Sequence, residues 1–558
     1  MEMRLLLAFV LMGIVMYVSQ TYFAPPPPKK APAAAAKTTP PAQVSPPSDQ
    51  TAATKPTAPE APAASTSAPN ATPARVEPHF TVQTDLFRVE FSNQGGTVRS
   101  WQLRQYKGSD GKPLELVNTA AALEHPFSLH FAGTKPTADV NWAWYKQTPD
   151  ADNLGVVYEF GDGHTAVKKV FRFQPHSYLC TVSTEVTLDG KPLPHLIQWR
   201  GGFGDFTVAS AAGNQRTLYF NVAENKLVEE SAKAASKGPV SASGNFSFAG
   251  LGDNYFEAVF LPEGAPSMTQ VTFGDHVKTP LDDSAPQPFT GVAVGDGAVN
   301  KFDLFVGPKD LDLLAKINPK LTQTVDFGWL SVLAKPLFLI VNYVNDNIVR
   351  NFGWSIVLVT IAINFILFPL KMTNMKSMKK MQALKPQIDA INAKYKNVSL
   401  RDPKKADQNQ EVMDLYKKHG VNPMGGCVPM LLQIPFFIAF YKVFTVSVEM
   451  RGAQWLWVTD LSQPEHIAIR ILPIVMIASQ FLMQRMTPQA GGDPAQQKMM
   501  MFMPLLFGFM FYNFPSGLVL YYLTSNLVSM LQQWFFNKTS LATVAAESVL
   551  PPKKTGRK

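Results

Sequence analysis

Residues 421–444, VNPMGGCVPMLLQIPFFIAFYKVF, decide how the rest of the chain is read. The stretch opens on turn chemistry, Asn422-Pro423 and Gly425-Gly426, then runs apolar for roughly the 20 residues that cross a bilayer. Three prolines (Pro423, Pro429, Pro435), one amide (Gln433) and a polar end (Tyr441, Lys442) are written into it. A plain anchor needs none of these. A helix that packs against other membrane helices and faces something polar uses them.

Working outward, apolar runs recur at 468–484, 499–513 and 516–535 towards the C-terminus, and at 353–370 towards the N-terminus. Another lies in 1–23, MEMRLLLAFVLMGIVMYVSQTYF, where Arg4 precedes the run; without an Ala-x-Ala cleavage site it reads as an uncleaved signal anchor rather than a signal peptide. The expectation is six spans, with 421–536 holding the last four. Thr360, Asn364 and Lys371 fall on one face of the 353–371 helix. Asn364 is either a helix–helix hydrogen bond or part of a polar groove. A second polar stripe on the last span, Tyr522, Ser525, Asn526, Ser529, Gln532 and Gln533, together with Gln433, favours the groove.

Between 371 and 420 there are twelve Lys/Arg against five Asp/Glu. Apolar residues from Met372 through Met381, Leu384 and Ile388 to Tyr395 step by three or four, and a break at 397–403 precedes a second helix. This predicts a helical hairpin over 372–420, cytoplasmic by the positive-inside rule. A basic tail at 537–558 falls on the same side, so both termini are expected there. The run 327–344, interrupted by Lys335-Pro336, predicts an amphipathic interfacial helix over 325–346.

The remaining chain is not membrane-like. Residues 24–78 are rich in Pro, Ala, Thr and Ser and read as a disordered tether. Residues 79–324 alternate apolar and polar in short runs such as FTVQTDLFRVEFS (80–92), punctuated by turns like Asn93-Gln94-Gly95-Gly96, which predicts an all-β sandwich. The chain of 558 residues carries a formal charge of +9, and that excess is concentrated beside the spans, which argues for ribosome or anionic lipid and against DNA. Cys180 and Cys427 fall in different predicted compartments, so a disulfide is not expected. No P-loop, metal-ligand spacing or acid/base cluster is found, GGFGDF (201–206) reads as a loop, and neither enzyme chemistry nor a cofactor is expected. Two other function classes compete with these. A secondary transporter calls for repeated halves and buried ionisable pairs. A membrane-tethered sugar-binding protein remains compatible with the sandwich.

VNPMGGCVPMLLQIPFFIAFY (421–441), DPAQQKMMMFMP (493–504), FPSGLVLYYLTSNL (514–527) and GWSIVLVTIAINFILFPLKM (353–372) resemble the signatures of the YidC/Oxa/Albino family of membrane protein insertases. VQTDLFRVEFSNQGGTVRSWQL (82–103) resembles the opening of the large periplasmic domain of its Gram-negative members. The resemblance implies a bacterial inner-membrane protein with a six-span all-α membrane part, a five-helix insertase core plus the N-terminal anchor, and a periplasmic β-supersandwich. It implies insertion of nascent membrane proteins through a hydrophilic groove, alone or with the Sec translocon and its accessory subunits. Thr360, Tyr521 and Tyr522 match the family's groove pattern; with Asn364, Lys371, Gln433, Ser525 and Ser529 they form the expected groove. Lys379, Lys380, Lys385, Lys553, Lys554, Arg557 and Lys558 are the expected contacts to ribosome or targeting receptor, with anionic lipid as the competing partner. One position departs: where the family usually places a groove arginine, this chain has Asn364, with Lys371 and Arg350 the nearest bases.

Overall fold

The computed structural model describes residues 79–121, 123–208, 211–264, 267–280, 285–395, 404–420, 428–467, 469–486 and 508–549. The expected anchor 1–23, the tether 24–78 and the basic residues Lys553, Lys554, Arg557 and Lys558 lie outside them.

Period-two alternation builds the β-domain. In β2 (Phe87–Ser92) and β8 (Thr165–Phe173) nearly every second side chain is buried. β1 (His79–Gln83), β2, β3 (Thr97–Lys107) and β4 (Pro113–Glu115) form a four-stranded antiparallel sheet in that order. The β2–β3 turn uses Gly95 and Gly96 at φ +72° and +55°. A Cβ on Gly96 would lie 3.0 Å from Tyr158, so the turn can press onto the neighbouring sheet only as glycine.

The remaining strands hinge on β14 (Val240–Gly252), a 13-residue strand. Its first half pairs with β16 (Ser267–Val277), which leads through β17 (Gln287–Gly297) and β11 (His195–Trp199) to β5 (Ser128–His130). Its second half pairs with β12 (Arg216–Asn221) and β15 (Phe256–Pro262). From β15 the sheet continues through β18 (Val299–Pro308), β9 (Leu179–Leu188), β8 and β7 (Gly155–Gly161) to β6 (Lys146–Pro149). The two halves touch across the core. Thr217 on β12 meets Thr272 on β16 at 2.6 Å, and Thr184 on β9 meets His195 Nε2 on β11 at 2.7 Å. The small sheet packs on β8 and β11 through Phe91–Phe171 (4.9 Å) and Trp101–Trp199 (6.3 Å). Such rings are fully buried, each worth about 1.5–3 kcal/mol relative to exposure. A sandwich is present, but one strand serves two sheets and a third sheet is added, which alternation alone does not specify.

The helical part follows. α1 (Leu311–Ile317) is capped by Asp310, which accepts from the Leu313 amide at 2.8 Å. α2 (Ser331–Val344) holds Pro336 and ends in a π-turn. Arg350 then turns left-handed (φ +52°), and Asn351 caps α3 (Phe352–Ile366). The segment through α2 and α3 are bent by 115°. α4 (Phe368–Ala383) and α5 (Lys385–Lys394) continue the chain, and α5 packs on α6 (Lys404–Lys418). Then come α7 (Val428–Val446), α8 (Ile471–Met486), a helical turn at 508–511, and α9 (Ser516–Val549). α9 runs past residue 535, where the apolar stretch ends, so part of the expected tail is helix. Among the described residues no single helix is long and apolar enough to cross a membrane, and the bent α2–α3 pair passes only together.

The bundle exposes large apolar side chains and also buries polar ones among its apolar core. Phe365, Ile366, Leu531 and Trp534 are more than half exposed, whereas Thr360, Asn364, Ser525 and Ser529 are buried. Large apolar side chains on the outside, with a few polar groups held in the core, suit helices surrounded by hydrocarbon.

Candidate functional site

α3, the start of α4 and α9 bring five of the expected groove residues together. Thr360 is fully buried, and its hydroxyl donates to the Ile356 carbonyl at 2.6 Å. Asn364, one turn on, donates to the Thr360 carbonyl at 2.8 Å. Its own carbonyl oxygen accepts from Lys371 Nζ at 2.6 Å and from Ser525 Oγ at 3.3 Å. Lys371 Nζ also donates to Ser529 Oγ at 2.9 Å. Gln532 on α9 closes the set by donating to the Asn364 main-chain carbonyl at 3.2 Å. Serine and amide side chains one turn apart on α9 face one stripe of α3, which is what the sequence spacing predicts. Lys371, expected in the groove on the face of Asn364, is delivered there from the next helix, α4. It reaches back across the helix break at Leu367 into the cluster, and both of its partners there are uncharged.

A layer of aromatic side chains separates this cluster from the end of the bundle nearer the β-domain. Tyr521 stacks on Phe440 at 4.3 Å, and Tyr522 packs on Phe511 at 4.9 Å. Tyr521 and Tyr522 therefore belong to this layer rather than to the polar cluster. α7 and α9 come close here because Gly517 lacks a side chain: a Cβ would lie 2.6 Å from the Phe444 ring. Phe444 opposite Gly517 and Phe440 opposite Tyr521 fix an antiparallel register. Continued inward, the same register sets Gln433 opposite Val528, one residue before Ser529, and Gln433 is half-buried.

The hairpin packs through Met381, Leu384, Ile388 and Tyr416. Glu411 holds it further, accepting from Lys394 Nζ at 2.7 Å and from the Tyr395 hydroxyl at 2.8 Å. Lys380 and Lys385 are exposed, whereas Lys379 is half-buried with its Nζ 5.5 Å above the Phe536 ring.

Sequence reading missed the junction with the β-domain. Arg451, the lone Lys or Arg of the 445–467 loop, enters the β-domain and pairs with Asp205 of the GGFGDF loop, and both are buried. It also donates to the Lys107 carbonyl at 3.0 Å and lies 5.4 Å from the Tyr255 ring centre. Nearby, Lys442 pairs with Asp326 at 3.2 Å. A polar cavity of about 660 Å³ lies along this seam, lined by α7, the 513–515 turn and β-domain loops. The available signal was a glycine-rich loop ending in aspartate, with an isolated arginine far away in sequence; nothing local connects them.

Known proteins resemble the chain along most of its length. The family described as "YidC periplasmic domain" matches residues 79–340, and that described as "60Kd inner membrane protein" matches residues 344–543. A membrane protein insertase YidC of Pelobacter propionicus is 33% identical over 568 residues, covering 96% of this chain and 99% of its own. One from Syntrophus aciditrophicus is 34% identical, covering 83% of this chain and 85% of its own. Among solved structures, an active YidC insertase with its first transmembrane domain resolved covers 82% of this chain and 94% of its own, at 19% identity and a TM-score of 0.36.

Proposed function

Since the chain belongs to the YidC family of membrane protein insertases, whose function is not enzymatic, we propose that it carries short polar segments of nascent membrane proteins past the hydrocarbon layer and releases their apolar helices into lipid. The observation behind this reading is the cluster of buried Thr360, Asn364, Ser525 and Ser529 joined by the half-buried Lys371, in a bundle that exposes large apolar side chains.

A charged residue at the centre of a bilayer costs about 2.5–3.5 kcal/mol on insertion scales. A cluster of amides, hydroxyls and one ammonium offers hydrogen bonds in place of hydrocarbon. At rest most of these groups bond one another, with Gln532 Oε1 left without a partner; when a client enters, they exchange internal hydrogen bonds for bonds to the client. Lys371 gives the cluster a net positive charge, which favours acidic or carbonyl-rich client segments. The client's apolar helix then moves sideways into lipid, driven by burial, without a nucleotide.

The same reading gives an inner-membrane protein with six spans, cytoplasmic termini and a periplasmic β-domain, working alone or with the Sec translocon. The exposed Lys380 and Lys385 fit contact with the ribosome or targeting receptor, and equally with anionic lipid. Ribosome co-sedimentation set against binding to anionic liposomes, with both lysines changed to alanine, separates these two partners.

The test is reconstitution of the full chain in liposomes with a small single-span client bearing a short polar N-terminal segment. Protease-protected insertion above that of empty liposomes is expected. Equal insertion with and without the chain overturns the reading.

A further inference from the structure

The aromatic layer of Phe440, Phe511, Tyr521 and Tyr522 has polar groups on both sides. On one side is the Asn364 cluster. On the other is the seam cavity of about 660 Å³, within the size range of ligand sites. α9 starts at Ser516, directly after Pro515 in the cavity wall, and reaches Ser525 nine residues later, a rise of about 14 Å. About four residues of extended chain cover that distance.

The cavity wall is not built for a simple ion. Its described lining holds four acidic and four basic side chains, drawn from both the β-domain and the helical part. Balanced charge of both signs, with Tyr441 and Asn513 among it, suits a polypeptide of mixed composition. One donor is still free for it: Arg451 Nε is buried at the cavity without a hydrogen-bond partner. The Arg451–Asp205 and Lys442–Asp326 pairs hold the β-domain over the end of the bundle, so the cavity has a fixed roof.

We propose that the seam cavity is the receiving compartment for the client: the polar segment, once past the aromatic layer, binds between the β-domain and the outer ends of α7 and α9. This rests on the insertion function proposed above and adds where the segment goes next. The β-domain is then part of the transfer path rather than an appended module.

The experiment uses the full chain in membrane vesicles with a ribosome-stalled single-span client. A photo-crosslinking p-benzoylphenylalanine replaces either Tyr522, beside the polar cluster, or Tyr441, in the cavity wall. Both positions are expected to crosslink the client, and the crosslink from 441 maps to its polar segment. Deleting that segment is expected to lower the 441 crosslink at least fivefold while the 522 crosslink persists. Thr445→Trp, which fills the cavity, is expected to do the same. If 522 crosslinks the client while 441 crosslinks only lipid, nothing, or a client lacking its polar segment, the receiving compartment is wrong and the insertion reading stands. Crosslinks from neither position overturn both.

Discussion

Lys371 Nζ lies 2.6 Å from Asn364 Oδ1, although the two residues are on different helices separated by a break at Leu367. The amide at 364 therefore does not leave the cluster uncharged; it holds a cation delivered from the next helix. Lys371→Met is expected to lower insertion of a client with an acidic segment about tenfold, equivalent to one hydrogen bond to a charged group at ~1.5 kcal/mol. Lys371→Arg is expected to retain most activity. Protease-protected insertion in proteoliposomes measures both, and equal rates for Met and wild type would remove the charge from the mechanism.

On the proposed insertion reading, Asn364 acts through Lys371 as a positioning residue. Asn364→Leu removes the acceptor that holds Lys371 and leaves the ammonium with Ser529 alone. Insertion is expected to fall severalfold, and Asn364→Arg to restore it. A leucine variant as active as the wild type contradicts the polar cluster.

The pair Arg451–Asp205 joins residues 246 positions apart, both almost fully buried. Arg451→Ala strands a buried carboxylate and is expected to cost about 3–5 kcal/mol. Asp205→Asn is also expected to destabilise. The double variant is expected to cost less than the sum, because each single change leaves the other group unpaired. Denaturant unfolding of the purified full chain, followed by tryptophan fluorescence, gives the cycle.

Gly353 opens α3 against Trp455, where a Cβ would sit 2.2 Å from the indole. Gly353→Ala is expected to destabilise by about 1–3 kcal/mol through overpacking. A lowered melting temperature in detergent checks it, and Trp455→Ala in the same chain is expected to recover part of the loss.

Glu257 is fully buried, its nearest cation Lys309 Nζ is 3.9 Å away, and burial raises its pKa from 4.5 to about 7. A raised carboxyl pKa means the folded state holds the proton more tightly than the unfolded state. That contribution is full below pH 4.5 and is lost as pH rises through about 7. His195, lowered by burial to about 4, works in the opposite direction over an overlapping range. The informative quantity is therefore the difference between wild type and Glu257→Gln. The variant is expected to gain stability relative to the wild type from pH 4.5 to 7, and a constant difference would contradict the buried proton.

Much of this architecture was legible locally. Period-two alternation in FRVEFS and TAVKKVFRF marks strands because successive side chains on a strand point to opposite faces. The spacing of Ser525, Ser529 and Gln532 marks one face of α9 because a helix repeats every 3.6 residues. Those are short-range consequences of backbone geometry. The span number and the placement of the tail are not of that kind, and α9 shows why: helix propensity continues to Val549 although the apolar run does not.

By itself, then, the sequence determined which segments are β, which are apolar helix, and which polar residues share a helical face. Tertiary structure alone decided that Lys371 turns back to Asn364, that Tyr521 and Tyr522 belong to an aromatic layer, that β14 serves two sheets, and that Arg451 enters the β-domain at Asp205. Each depends on groups far apart in the chain meeting at a few ångströms. Periodicity is a property of neighbours and carries no term for such meetings; only the packed chain, which must satisfy its buried polar groups together, selects them.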